Sequence, residues 1–357
     1  MKFIHIADIH LGAKPDSDYP WGNSRSKEIM QSFEDLIDIC KKENVKLLLI
    51  AGDLFHRQPL LRELKELNYQ FGKIKDTKIV LIAGNHDYVG AKSHYIDFKW
   101  AQNVTMLNSE QMGKVVFPEL QTEVYGFSYH RRNIPEALLQ SVAPDHNEYM
   151  HILLGHGGDE KHVPIDTKQI GQLPFDYIAL GHIHKPTIIN EHCAFSGSFE
   201  PLDKTEVGPR GYIMGELTKD HCKIEFVPHS IRTYEKLEVT VLPSMTQGEI
   251  LDLIAKRMKD LGDQNIYRIY LSGYKDPDLE IDLERIKELG NVIEIMDESV
   301  PNYDFEVLRE ENQENIIGLY IDKVHESDTA DDIKTKALYY GLEALLGAKK
   351  RSYKRTF

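Results

Sequence analysis

The chain is poor in the features that mark secreted, membrane-bound or thiol-based proteins. Its three cysteines, Cys40, Cys193 and Cys222, are isolated and lack CxxC spacing. An odd, unpatterned set argues against a disulfide framework or a zinc knuckle and leads us to expect reduced, mostly buried thiols. No apolar run approaches the roughly 20 residues of a membrane span, and the opening MKFIHIADIH is too short and too polar for a signal peptide. The expectation is a soluble, cytoplasmic protein that touches no membrane. Positive charge is also scarce: 43 Lys and Arg stand against 57 Asp and Glu, a formal net charge of −14. That balance argues against coating nucleic acid through bulk electrostatics. It leaves nucleic acid open as a substrate, because carboxylates gathered around divalent ions are neutralised locally. The basic elements that do occur, His56-Arg57, Arg131-Arg132 and the tail from Lys349 to Arg355, each read alone as solvated surface charge. Internal repeats and low-complexity tracts are missing as well.

What the sequence does contain is a series of five apolar runs, each ending abruptly in residues that bind divalent metals. They are IHIADIH (4–10), LLLIAGD (47–53), VLIAGNHD (80–87), ILLGH (152–156) and YIALGHIH (177–184). Read as buried strands, they deliver Asp8, His10, Asp53, Asn85, His86, His156, His182 and His184 to one edge of a sheet. One such carboxylate would pass for a turn or cap residue. Five successive endings of carboxylate, amide or imidazole, with Gly beside them, do not fit that reading, and strand ends are where α/β sheets bind ligands.

With 357 residues, 41% of them hydrophobic, the chain has material for two or three domains. Up to about residue 190, apolar strands alternate with amphipathic segments. Ile29, Phe33, Leu36, Ile37 and Cys40 share one face of a helix over 28–46, and a second helix is expected over 60–74. The pieces TIINEHCAF, GYIMGEL and KIEFVP (187–228) read as a second sheet packing on the first. We expect a first domain over 1–232. A βαβαβ unit without metal-type strand ends follows over 233–300, and a linker with a C-terminal helix occupies 301–357. That helix, ADDIKTKALYYGLEALLG (330–347), carries a stripe including Ile333, Ala337, Tyr340 and Leu345, which would either pack on its own domain or dock a partner.

The chemistry follows from the spacing. Asp8 and His10, two apart on a strand end, can face the same side, as can His182 and His184. Asp53 can bridge two ions with its two oxygens, Asn85 offers a carbonyl oxygen and His156 a further nitrogen. Two ions roughly 3.5 to 4 Å apart suit in-line displacement at phosphorus, where one activates water and both neutralise phosphoryl charge. The absence of thiolates disfavours structural zinc and favours Mn²⁺, Fe²⁺ or similar ions. His86 can protonate a leaving oxygen, with Asp87 fixing its tautomer. His5, His94, His130, His146, His151, His162, His192, His221 and His229 belong to no such motif and are expected to be packed or solvated.

The series DxH, GD, GNHD, GH and GHxH resembles the calcineurin-like metallophosphoesterase superfamily. DIHLG, GDLFHR, AGNHD, LGHIHKP and FSGSFEPLDKTEVGPRGY are similar to its DNA-repair nuclease branch, the SbcD and YhaO type. The resemblance covers residues 1–230 well and the remainder only in layout. It implies a four-layer αββα sandwich with a small α/β capping domain and a helical tail. It also implies two Mn²⁺ ions, the first on Asp8, His10, Asp53 and His184, the second on Asp53, Asn85, His156 and His182. In that branch His86 would handle the scissile phosphate and His56, with Arg57, would contact nucleic-acid phosphate. The implied partners are DNA and an SbcC-like ABC-type ATPase with a coiled coil docking on the C-terminal helix. The 60–74 helix could serve a homodimer or pack inside. QPLLREL after GDLFHR departs from the Ser-rich start of many relatives. Two other readings stand beside the nuclease: a phosphodiesterase acting on nucleotides or other small diesters, and a non-catalytic scaffold, which would predict degraded motifs.

Overall fold

A computed structural model describes the backbone of residues 1–354 and the side chains of residues 1–346. The basic tail from Lys349 to Arg355 therefore lies outside the described side chains. The chain forms two compact units, one made of Met1–Leu237, Lys256–Ile269 and Lys287–Glu294, the other of Glu238–Ala255, Tyr270–Ile286 and the described residues from Ile295 onward.

The first half runs β1 (Lys2–Ile6), α1 (Gly22–Lys42), β2 (Leu47–Ala51), α2 (Leu61–Phe71), β3 (Lys78–Ile82), β4 (Val104–Met106), β5 (Gly113–Phe117), β6 (Thr122–Gly126), β7 (Met150–His156), α3 (Thr167–Ile170) and β8 (Tyr177–Gly181). β9 (Thr187–Asn190), β10 (Cys193–Phe195), β11 (Gly211–Leu217) and β12 (Cys222–Pro228) complete it. Two six-stranded sheets result, ordered β12-β11-β1-β2-β3-β4 and β5-β6-β7-β8-β10-β9. In the first sheet β1 to β4, and in the second β6 to β8 with β10, are parallel.

The period of two along each strand builds the sandwich. Phe3, Ala7, Leu47, Leu49, Val80 and Ile82 point inward and meet Val124, Ile152, Leu154, Tyr177 and Ala179 of the second sheet. Ile4, Ile6, Leu48, Ile50, Ile79 and Leu81 point the other way and are covered by α1 and α2, whose Ile29, Phe33, Leu36, Ile37, Cys40, Leu64, Leu67 and Phe71 are buried on them. At about 25 cal/mol per Å² of apolar surface removed from water, such two-sided burial is the dominant favourable term in the fold. The apolar face of α2 is thus consumed by the core, leaving Leu61 and Tyr69 outside. The far face of the second sheet is covered by a single-turn helix, α3, and irregular segments that bury Tyr129, Ile134, Leu139, Val163, Ile170 and Phe175.

Two sequence expectations are corrected here. GYIMGEL and KIEFVP do not found the second sheet. As β11 and β12 they pair antiparallel beside β1 and extend the first. The five metal-type strand ends are also divided between the sheets, those of β1, β2 and β3 on one and those of β7 and β8 on the other. Local pattern cannot reveal this, since a two-sided apolar run reads the same in either sheet.

Beyond β12 the βαβαβ pattern is as expected: β13 (Tyr234–Val241), α4 (Gln247–Leu261), β14 (Ile266–Lys275), α5 (Leu283–Lys287) and β15 (Val292–Asp297), in a sheet ordered β13-β14-β15 with β16 (Val300–Pro301) beside β14. Three helices follow: α6 (Phe305–Glu311), α7 (Ile316–Glu326) and α8 (Asp331–Lys354). Asp304 and Asn315 cap α6 and α7 through their side chains. The apolar cluster between α7 and α8 uses Ile317, Ile321, Leu338 and Leu342, with Leu345 packed against it. The expected stripe is therefore split: Leu345 is in the cluster, while Ile333 and Tyr340 are exposed. Among the described residues, no helix is long and apolar enough to cross a membrane.

Candidate metal centre

All seven expected ligand residues converge where the parallel strands of both sheets end. His156 closes β7, whereas Asp8, His10, Asp53, Asn85, His182 and His184 lie just past the ends of β1, β2, β3 and β8. Strand alternation is not what aims them, contrary to the sequence reading. Asp8 (φ 50°), His10 (φ 51°), Asp53 (φ 49°) and His182 (φ 91°) all adopt left-handed backbone, which is costly for residues with a Cβ and is tolerated where surrounding structure over-determines it. Backbone bonds hold these turns: Asp8 N–H donates to Gly52 O and His10 N–H to Asp53 O. The glycine before Asn85 has a steric reason. A Cβ on Gly84 would collide with the Asp53 carboxylate and the His156 ring.

The donor atoms form one cluster. His10 Nε2 lies 3.2 Å from His184 Nε2 and 3.9 Å from Asp53 Oδ2, and His184 Nε2 is 3.9 Å from Asp8 Oδ1. On the other side, His156 Nε2 is 3.5 Å from Asp53 Oδ2 and 2.9 Å from Asn85 Oδ1, and His182 Nδ1 is 3.1 Å from the same amide oxygen. Asp53 sits between the two groups.

These residues fit divalent ions. Asp8 Oδ1 is buried without a hydrogen-bond donor, a costly orphan unless a cation meets it. The ring nitrogens not aimed into the cluster are engaged elsewhere: His156 Nδ1 with Ala51 O at 2.8 Å and His184 Nδ1 with Glu206 Oε1 at 2.6 Å. In the neutral tautomer with Nδ1–H, each presents an Nε2 lone pair inward, as a metal ligand must. The electrostatics agree. Burial opposes charge on His156 and His184, yet Asp53 for the first and Glu206 with Asp8 for the second override it and raise both to about 9. The carboxylates draw protons into the positions that cations would take. Burial pushes Asp8 up to about 6 and holds His10 and His182 low, the latter at about 4. Asp53 is held down despite its burial, by His156 first.

His86 lies beside this cluster, its ring 4.9 Å from that of His10 and stacked on His56 at 5.2 Å. Its main-chain N–H donates to Asp53 Oδ1 and its Nδ1 to His56 O at 3.1 Å. Asp87 does not fix its tautomer. Both Asp87 oxygens are buried and taken by Gly84 N–H, Phe55 N–H and Tyr95 O–H, so this carboxylate shapes the turn carrying Asn85 and His86. His56 Nδ1 is 3.4 Å from His10 Nδ1, and Arg57 is paired with Glu63 at 2.7 Å on the surface. Three residues that the motifs did not signal also reach the site. Asp159 bonds His182 Nε2 at 2.8 Å and is shared with His162, and Glu206 bonds His184. The local hints were GHGGDEKH, with Asp159 three residues past His156, and FSGSFEPLDKTEVGPRGY, which contains Glu206.

The calcineurin-like phosphoesterase profile matches residues 1–186, more than half of the chain and the range that contains all seven candidate ligand residues. The chain belongs to this family. Its relatives include the uncharacterized metallophosphoesterase YhaO of Bacillus subtilis, 29% identical over 302 residues, which span 76% of this chain and 72% of that one. The SbcD subunit of the nuclease SbcCD from Staphylococcus epidermidis is 26% identical over 90% of this chain and 92% of its own. The DNA double-strand break repair protein Mre11 of Archaeoglobus fulgidus is 25% identical over 81% and 71%. The protein is thus a metal-dependent phosphoesterase, a hydrolase with nuclease relatives.

Proposed function

We propose that this phosphoesterase is a Mn²⁺-dependent DNA nuclease serving double-strand-break repair, removing nucleotides 3′ to 5′ from duplex ends and cutting single strands. The observation that carries the reading is the paired donor set around Asp53, three-sided with Asp8, His10 and His184 and again with Asn85, His156 and His182, at the strand ends of both sheets. Asp8, His10, Asp53 and His184 would hold one ion, and Asp53, Asn85, His156 and His182 the other. When bound, such a pair activates water and neutralises charge on the phosphoryl oxygens.

The chain supplies the rest. The His56 carbonyl holds His86 Nδ1–H and so leaves Nε2 to carry a proton to the leaving 3′ oxygen. His56, which lies beside His10 and His86, would meet the phosphate backbone; Arg57 would first have to leave Glu63. The names of the relatives support DNA as substrate and an SbcC-like coiled-coil ATPase as partner, for which exposed Ile333 and Tyr340 on α8 offer apolar contact. A homodimer through α2 would have Leu61 and Tyr69 to use. We assign catalysis to residues 1–232, capping to 233–300 and partner docking to 301–357.

The test is hydrolysis of end-labelled duplex and single-stranded DNA, beside a small diester, by chelator-stripped protein given Mn²⁺ or Ca²⁺. Restoration by Mn²⁺ far better than by Ca²⁺, which prefers more oxygen ligands, and a preference for DNA are expected. Full activity in excess chelator overturns the two-ion mechanism, and preference for the small diester turns the reading toward nucleotides.

A further inference from the structure

The segment between β10 and β11 carries polar side chains that the two-ion reading leaves without a task. Glu206, with 12% of its side chain exposed, is 2.6 Å from His184 Nδ1 through Oε1. Its other oxygen accepts from Ser198 O–H at 2.7 Å and from Leu202 N–H at 3.3 Å. Arg210, only 3% exposed, donates through Nε to Ser198 Oγ at 3.1 Å and lies 3.6 Å from Glu206. The same guanidinium donates through Nη1 to the carbonyls of Val207, Gly208 and Pro209, which close the loop around it. The main chain ties the assembly to the centre: Ser198 N–H donates to His184 O at 3.0 Å and Phe199 N–H to Asp8 O at 3.3 Å.

We infer that Glu206, braced by Ser198 and Arg210, is a positioning residue for His184: it fixes the ring in the Nδ1–H tautomer and aims Nε2 at the ion shared with Asp8, His10 and Asp53. The inference deepens the two-ion reading and rests on it. A carboxylate accepting from the far ring nitrogen of a metal-ligating histidine sets the ring's orientation and raises its basicity as a ligand. Glu206 is built for that duty because neither oxygen is free: one is committed to His184, and the other is clamped beside a buried cation. Asp159, which meets His182 in the corresponding way, contrasts with it. It is half exposed and divided between two histidines. The stretch FSGSFEPLDKTEVGPRGY thereby gains a physical function, with Ser198 and Arg210 holding, from two other points of the loop, the Glu206 carboxylate that reaches the imidazole.

The experiment measures Mn²⁺ affinity and stoichiometry calorimetrically on full-length protein, with melting temperature in chelator and the dependence of kcat and KM on Mn²⁺ concentration. Glu206→Gln should weaken one of two ions by about 10- to 100-fold, the usual cost of losing such a partner, and leave the other unchanged. High Mn²⁺ should restore kcat with little change in KM. Ser198→Ala, which removes one brace, should shift the same ion by a smaller factor, and it carries the test if Glu206→Gln fails to fold. Glu206→Asp, keeping the charge on a shorter arm, should fall between wild type and Glu206→Gln. Unchanged affinities in a folded Glu206→Gln overturn the inference. So does equal weakening of both ions in step with a fall in chelator melting temperature, the mark of a merely structural pair. A wild-type protein that binds no ion pair overturns the two-ion reading itself, a result distinguishable because no substitution is needed to see it.

Discussion

His86 is oriented by the main-chain carbonyl of His56, 3.1 Å from its Nδ1, and the two rings stack with centroids 5.2 Å apart. Its neighbour in sequence, Asp87, is turned away into the protein and serves Tyr95, Gly84 and Phe55. A carbonyl on Nδ1 sets the ring's direction and leaves Nε2 for proton transfer. His86→Ala should therefore retain both ions while losing about 10² to 10⁴-fold in DNA cleavage, the usual worth of a positioned acid. The loss should shrink for a p-nitrophenyl diester, whose leaving group needs little protonation. Metal analysis with rates on both substrates decides it, and an unchanged DNA rate ends the proposal.

Asp87→Asn should behave differently. Its effect runs through the turn bearing Asn85, so ion content should fall and sensitivity to the leaving group should remain that of wild type. A variant that kept its ions and lost leaving-group sensitivity, like His86→Ala, would return Asp87 to the role that its place in GNHD suggests.

The residues that converge at the strand ends were legible in the sequence because two-sided burial makes a parallel strand an unbroken apolar run, and a run that stops in Asp, Asn or His is conspicuous. Asp53 and His156 could be named that way, but not the fact that they arrive from different sheets. Nor was the left-handed backbone of Asp8 and His10 legible, since period two gave a simpler account of their spacing. Glu206 and Asp159 escaped for another reason. They come from loops whose course is fixed by tertiary contacts, so nothing at positions 159 or 206 marks them as facing His182 and His184.

Asp53 gives the sharpest contrast with His86. Standing between both donor groups, 3.9 Å from His10 Nε2 and 3.5 Å from His156 Nε2, it is the residue that both ions would share in the proposed two-ion centre, so Asp53→Ala should lose both ions together and with them all metal-dependent hydrolysis. Metal content after gel filtration is the measurement. Retention of one tightly held ion would mean that the two groups are independent and that Asp53 does not bridge.

His5 makes the fold acid-sensitive apart from the metal centre. It is fully buried between the sheets, 2.9 Å from the Tyr177 hydroxyl, and burial lowers its pKa from 6.5 to about 3. Below pH 6.5 the unfolded chain takes up a proton that the folded one refuses. The folded state is therefore penalised progressively as pH falls from about 6.5 to 3, at close to 1.4 kcal/mol per pH unit for one proton. Denaturant titrations of wild type and His5→Gln in chelator, at pH 7, 6 and 5, should show the stability difference shifting in favour of the variant as pH falls. A difference independent of pH would show that His5 does not titrate between those limits.

The C-terminal helix has one packed set of apolar side chains and one exposed set. Leu342 is fully buried against α7 together with Leu338, Ile317 and Ile321. Leu342→Ala should then cost this helical unit about 2 to 5 kcal/mol, visible as faster amide exchange in α7. Tyr340, two residues earlier, leaves 74% of its surface exposed, and Ile333 leaves 53%. Ile333→Asp with Tyr340→Asp should keep both exchange and small-diester hydrolysis at wild-type values while reducing binding of an SbcC-like ATPase. If the double variant instead accelerates α7 exchange as Leu342→Ala does, those side chains support the hairpin; if exchange and ATPase binding are both unchanged, the partner surface lies elsewhere on the chain.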